Sequence, residues 1–268
     1  MTRAVFPSLV SVVVAVVAAC TAPTADRSPS ATPAELTVFA AASLTVPLEA
    51  VKATYESAHP GVRLTLSFDS STALRIQIEQ GAPADLFLSA DLSNPQLLVD
   101  ARWATGPVTR FAGNRLAIVV PTANPGSVEE PADLARPGLR IVAASEKVPV
   151  TVYATELIER LGVLPGYPAG FAAAYEGNIV SREDNVRSVV TKVELGEGDA
   201  GVVYETDAVA SDGLRVIEIP PEAAVTATYG GVVIAASSDV DAAAAFLGWL
   251  AGPDGQAALA GFGFVAPE

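Results

Sequence analysis

The chain has 268 residues, half of them hydrophobic, with 16 basic residues against 30 acidic ones and a formal net charge of −14. That length accommodates one large or two medium domains with a substantial core. The acidic balance leaves no basic stripe to neutralise phosphates and argues against nucleic acid as a partner. A small anion stays admissible, because surface charge beyond a Debye length of ~8 Å is mostly screened.

Residues 1–20 read as a lipoprotein signal peptide. Arg3 supplies the positive start, and Leu9 to Ala19 is an apolar core too short to span a membrane. It runs into Val17-Ala18-Ala19-Cys20, which resembles a bacterial lipobox. Cys20 is the only cysteine, and lipidation gives a role to a thiol that has no disulfide partner in an exported chain. Residues 21–34 (TAPTADRSPSATPA) hold almost no large apolar side chain and read as a flexible tether.

From Glu35 strands and helices alternate, the pattern of α/β layering. Leu36, Val38 and Phe39 open a strand that collapses into three alanines and Ser43, followed by a helix with Leu44, Leu48, Val51 and Tyr55 on one face. Val62 to Phe68 alternates as a strand and leads through Asp69-Ser70-Ser71-Thr72 into a short helix ending at Gly81. Asp85 to Ser89 is a buried strand, residues 92–101 a helix, and Leu116 to Val120 a strand ended by Pro121. Pro131 to Ala135 is a helical turn and Leu139 to Ala143 a strand. The run Glu146 to Thr151 then opens a helix that stops at Gly162. Ile179-Val180 is a short strand, and Glu183-Asp184-Asn185 precedes a helix beginning at Val186 and ending at Gly196. Ala200 to Tyr204 and Leu214 to Ile219 are strands. Val232 to Ala235, a helix over 239–250 and a last helix from Pro253 close the chain.

The residue types that carry most enzymology are scarce. His59 is the sole histidine and sits in a His-Pro-Gly turn, so neither a histidine triad nor a histidine metal cluster can be built. No glycine pattern marks a dinucleotide or phosphate loop. What recurs is a helix start. Ser43, Ser71 and the regions of Val150 and Val186 all stand where backbone N–H groups lack partners and the helix dipole is positive. Tyr204 adds a hydroxyl at a strand end. Together they make an arrangement suited to an anion.

The runs VFAAASLT (38–45), SFDSSTALRIQIEQGAPADLFLSAD (67–91), EKVPVTVYA (146–154), EDNVR (183–187) and GVVYETDAV (201–209) resemble those of periplasmic molybdate-binding proteins, in the same order along the whole body. The resemblance implies a two-lobe periplasmic-binding-protein clamshell of type II, each lobe a mixed sheet flanked by helices, with two hinge crossings. Lobe 1 would span 35–116 plus 231–268 and lobe 2 would span 117–230. It implies an oxyanion site in which Ser43 and Ser71 donate through hydroxyl and backbone, Val150 and Val186 through backbone N–H alone, and Tyr204 through its hydroxyl. The metal would enter as molybdate or tungstate in that site, with no cationic metal site and no cofactor. The protein would be a monomeric receptor rather than an enzyme. It would be held outside the cell membrane by a lipid on Cys20 and would deliver its anion to an ABC permease. Many relatives carry alanine at the Val150 position, and a small neutral residue at that of Asp69. Asp69 therefore keeps open a receptor for sulfate or phosphate. A surface adhesion module or an enzyme on the same clamshell are the readings from other classes.

Overall fold

Ala34 opens the first strand, β1 (Ala34–Ala41), in a computed structural model of the chain. The structure describes residues 1–2, 4 and 33–267. Leu9 to Ala19 of the signal segment, Cys20 and the tether up to Thr32 fall outside them. Leu36, Val38 and Ala40 are wholly buried and Phe39 nearly so, which is how a parallel strand covered on both faces reads. Through a 3-10 turn (Ala42–Leu44) the chain enters α1 (Thr45–Ala58), where Leu48, Val51 and Tyr55 face inward at helical spacing. It returns as β2 (Val62–Asp69), passes through α2 (Ser71–Glu79) and comes back as β3 (Leu86–Ser89). Both β2 and β3 pair with β1 in parallel.

Next come α3 (Ser93–Asp100) and a long strand, β4 (Ala104–Pro121). The second group comprises β5 (Ile141–Ala144), α4 (Pro149–Gly162), α5 (Phe171–Gly177), β6 (Ile179–Glu183), α6 (Val186–Glu194) and β7 (Ala200–Tyr204). It is followed by α7 (Glu205–Val209), β8 (Leu214–Ile217), β9 (Thr226–Ile234), α8 (Val240–Ala251) and α9 (Pro253–Ala260). The strands form one mixed sheet in the order β2-β1-β3-β9-β4-β7-β5-β6, with β8 also on β4. Helices flank it. Among the described residues no helix is long and apolar enough to cross a membrane.

β4 joins the two groups. Residues from Ala104 to Arg115 pair antiparallel with β9, whereas Leu116 to Val119 pair with β7 and Ile118 to Pro121 with β8. The sequence suggests only Leu116 to Val120 as strand, because Gly106, Pro107 and Gly113 interrupt the pattern before it. The structure absorbs Gly106 and Pro107 in a register shift between Thr105 and Thr109. Gly113 admits a close neighbour. A Cβ there would meet Ala266 O and Val265 Cγ2, each at 2.8 Å, and the backbones of Gly113 and Val265 are hydrogen-bonded to each other. β9 likewise begins six residues earlier than Val232.

Candidate functional site

The positions singled out in the sequence share one topological property. Ser43 follows the C-terminal end of β1, Ser71 that of β2, Val150 that of β5 and Val186 that of β6, while Tyr204 is the last residue of β7. β1 and β2 are parallel, with Ala41 beside Asp69, so Ser43 and Ser71 emerge at the same edge. β5 is parallel to both β6 and β7, with Ala144 beside Glu183, so the other three emerge together too. Open α/β sheets gather ligands outside the carboxyl ends of their strands for this reason. The five residues line a single narrow pocket with a cavity volume of about 10 Å³, together with Ala41, Ala42, Ser70, Ala90, Val148 and Pro149. Pockets for drug-sized molecules run to roughly 300–1,000 Å³, so this one suits something smaller.

Ser43 sits in the 3-10 turn and does not cap a helix. Its hydroxyl lies 2.8 Å from the Tyr229 hydroxyl. Ser71 is the first residue of α2, and the cap is its neighbour Ser70, which accepts the Ala73 N–H at 3.3 Å. Ser71 Oγ accepts the Ala90 N–H at 3.0 Å, which leaves its own proton to donate. Val150 follows Pro149 in the first turn of α4. Val186 is the first residue of α6, behind Asn185, whose side chain accepts the Ser188 N–H at 3.0 Å. Amides in these first turns have no carbonyl of their own helix four residues back.

Tyr204 completes the lining. It is 1 % exposed and its hydroxyl has no hydrogen-bond partner, an expensive condition for a buried donor. Burial pushes this phenol well above its ordinary pKa, with nearby Tyr229, Tyr153, Asp91 and Asp207 adding to the effect, so it is a neutral donor. None of the pocket's residues is charged. Asp69 is not among them: its carboxylate accepts the Ser70 N–H at 2.7 Å. Just outside, the Thr72 hydroxyl donates to the Lys147 carbonyl and ties the start of α2 to the residues before α4. Chemically the pocket offers neutral donors and three helix N-termini, without a nucleophile–base pair.

A family model described as bacterial extracellular solute-binding protein matches residues 36–265. The chain belongs to that family. Within it, the molybdate-binding protein of Mycobacterium tuberculosis is 32% identical over 250 residues, covering 90% of this chain and 91% of the relative. This places the chain among the molybdate-binding proteins of the family. The solved substrate-binding domain of a putative molybdenum ABC transporter from Clostridium difficile is 30% identical, with a TM-score of 0.65 over 88% of this chain and all of that one. The sulfate-binding protein SubI of M. tuberculosis superposes with a TM-score of 0.75 over 86% of each chain, and at 21% identity it shares the fold alone. These relatives are solute-binding proteins.

Behind the pocket lies a layer that no local pattern marks. Tyr229, Asn114 and Thr206 come from β9, β4 and α7, and their side chains form a buried hydrogen-bonded chain ending on Ser43. Sequence reasoning misses them, since each sits in an ordinary strand or turn and is brought to Ser43 only by the sheet order.

Proposed function

We propose that this solute-binding protein is an extracytoplasmic receptor that binds molybdate, and tungstate with it, in the pocket formed by Ser43, Ser71, Val150, Val186 and Tyr204. We read it as a lipid-anchored monomer, held through Cys20, that hands the anion to an ABC permease. The observation that carries the ligand reading is the buried Tyr204 hydroxyl, unpartnered in a pocket lined by uncharged residues alone. Each helix N-terminus acts as roughly half a positive charge, fading within a turn, so the ends of α2, α4 and α6 favour an anion. Hydrogen bonds to an ionised acceptor are about twice as strong as neutral ones, and in a dry pocket they replace the hydration shell.

Selectivity follows from the same donors. Phosphate keeps a proton near neutral pH and needs an acceptor, and leaving that proton unsatisfied costs about 1–3 kcal/mol. Sulfate is a smaller tetrahedron, and fixed amides reach it only with stretched bonds. Asp69, the acceptor that the sequence raises, is engaged with Ser70. Sulfate is the second reading, because a sulfate-binding protein shares the fold. The pocket would be divided between lobe 1 (35–116 plus 231–268) and lobe 2 (117–230), with the hinge where β4 passes from β9 to β7.

A melting series on the body from Pro33 tests the reading. Sodium molybdate and tungstate are expected to raise Tm, by about 2.7 kcal/mol of stabilisation at a hundredfold excess over Kd, while millimolar sulfate and phosphate change it little. An equal or larger shift with sulfate or phosphate rejects it. In the full chain, Cys20→Ser should leave the molybdate shift intact and move the protein out of the membrane fraction. Unchanged partitioning would reject the anchor.

A further inference from the structure

Tyr229 is wholly buried on β9, its ring held edge-on by Tyr204, Phe111 and Phe264 with centroids 5.7, 6.0 and 5.5 Å away. Its hydroxyl has two partners: Ser43 Oγ at 2.8 Å and the carboxamide nitrogen of Asn114 at 3.2 Å. That nitrogen also donates to Thr206 Oγ1 at 2.8 Å, and Asn114 is itself wholly buried. A carboxamide nitrogen only donates. With the carboxamide nitrogen facing Tyr229 and the carboxamide oxygen left without a partner, the phenol oxygen accepts from Asn114 and its single proton is left for Ser43. Ser43 Oγ then accepts, and the serine proton is free to turn into the pocket.

We infer that Tyr229 and Asn114 are positioning residues that set the direction of a hydrogen-bond relay, Asn114 to Tyr229 to Ser43, and so commit the Ser43 hydroxyl to donating to a bound oxyanion. The inference rests on the reading of the pocket as an oxyanion site. Burial, which raises the phenol well above its ordinary pKa, keeps the relayed proton on Tyr229. Each bond in such a chain polarises the next, so the last donor is stronger than an isolated serine. On the other side of the pocket the Ala90 N–H plays the same part for Ser71. The two serines thus reach donor character by different routes.

The direction of the relay gives the test a sign. In calorimetric titrations with sodium molybdate, Tyr229→Phe keeps the ring and removes the relayed proton, and affinity should fall about three- to tenfold. Asn114→Ala leaves the phenol in place without its donor and should weaken binding in the same direction by about two- to fivefold. In a Ser43→Ala background Tyr229→Phe should have no further effect, which a merely structural role would not produce. Melting of the unliganded variants registers any packing loss separately, and Asn114→Ala carries the test if Tyr229→Phe does not fold. If the Asn114 carboxamide instead turns its oxygen to Tyr229, the relay runs backwards and Ser43 spends its proton on the phenol. Both substitutions would then release that proton and tighten binding. Tighter or unchanged binding overturns the relay and leaves the molybdate reading standing, as does a loss that persists undiminished in the Ser43→Ala background. A wild-type protein that binds no molybdate rejects the receptor reading, and the relay with it.

Discussion

Asp207, the third residue of α7, is 2 % exposed, and one of its carboxylate oxygens has no hydrogen-bond partner. Burial pushes its pKa up to about 7, against the opposing pull of Arg187 and of the Tyr204 backbone N–H. A carboxyl whose folded pKa lies above its unfolded value holds a proton in the native state that the unfolded chain has given up. Its contribution to stability is therefore greatest in acid and declines by roughly 1.4 kcal/mol per pH unit between the unfolded value and about 7. Other carboxylates act in the opposite sense. Glu183 and Asp199 are held low, against the cost of burial, by Lys192 and Arg140 respectively, and their stabilisation is lost as pH falls. The difference between wild type and Asp207→Asn isolates the one group, since asparagine keeps an oxygen to accept the Tyr204 N–H. The variant's Tm advantage over wild type should therefore grow by several degrees between pH 5 and pH 8, at about 2–4 °C per kcal/mol for a domain of this size. An equal difference at both pH values would show that Asp207 is not titrating between them.

At the scale of elements, the helix starts divide their work between side chain and backbone. Val150→Ala keeps the N–H of α4 and should change molybdate affinity less than about threefold. Ser71→Ala removes a charge-assisted bond worth ~1.5–3 kcal/mol, or roughly ten- to hundredfold in Kd. Val150→Pro deletes the amide donor and should approach the serine variant. Titration calorimetry separates these cases, and Val150→Ala as damaging as Ser71→Ala would refute backbone recognition at α4. The elements that carry these groups were legible because punctuation and period agree in them. Pro149 opens α4, Asn185 caps α6, and Gly196 follows that helix at φ 72°. Other parts were hidden for physical reasons. The first half of β4 carries Gly106, Pro107 and Gly113 and is strand only because β9 pairs with it through two register shifts. α5 and α7, with seven and five residues, are too short to show a helical period. Of the pocket lining, Ser43, Ser71 and Tyr204 stood at helix starts and a strand end, while the resemblance singled out Val150 and Val186. Tyr229, which lies 186 residues from Ser43, could not be named, because its place depends on the order β3-β9-β4 in the sheet.

For the molecule as a whole, the pocket lies between two groups of elements that β4 also joins. Ser43 and Ser71 stand on one side and Val150, Val186 and Tyr204 on the other, so an anion bound by all five favours the arrangement in which they meet. Thr72 belongs to the same arrangement. Its hydroxyl donates to the Lys147 carbonyl, next to the pocket but outside its lining. If the groups part when the pocket is empty, this bond stabilises the closed form alone. The apparent Kd then equals the intrinsic value divided by the fraction of molecules closed. Thr72→Val removes the donor and leaves all five pocket residues in place. An exposed hydrogen bond contributes about 0.5–1.5 kcal/mol, so apparent affinity for molybdate should drop about two- to tenfold. The change should appear mainly as faster release, because mutants of one site vary more in dissociation than in association. Small-angle scattering at saturating molybdate should give wild-type dimensions for the variant, since the end state is the same. Unchanged affinity and release rate in Thr72→Val would mean that the bond does not distinguish the closed form from the open one.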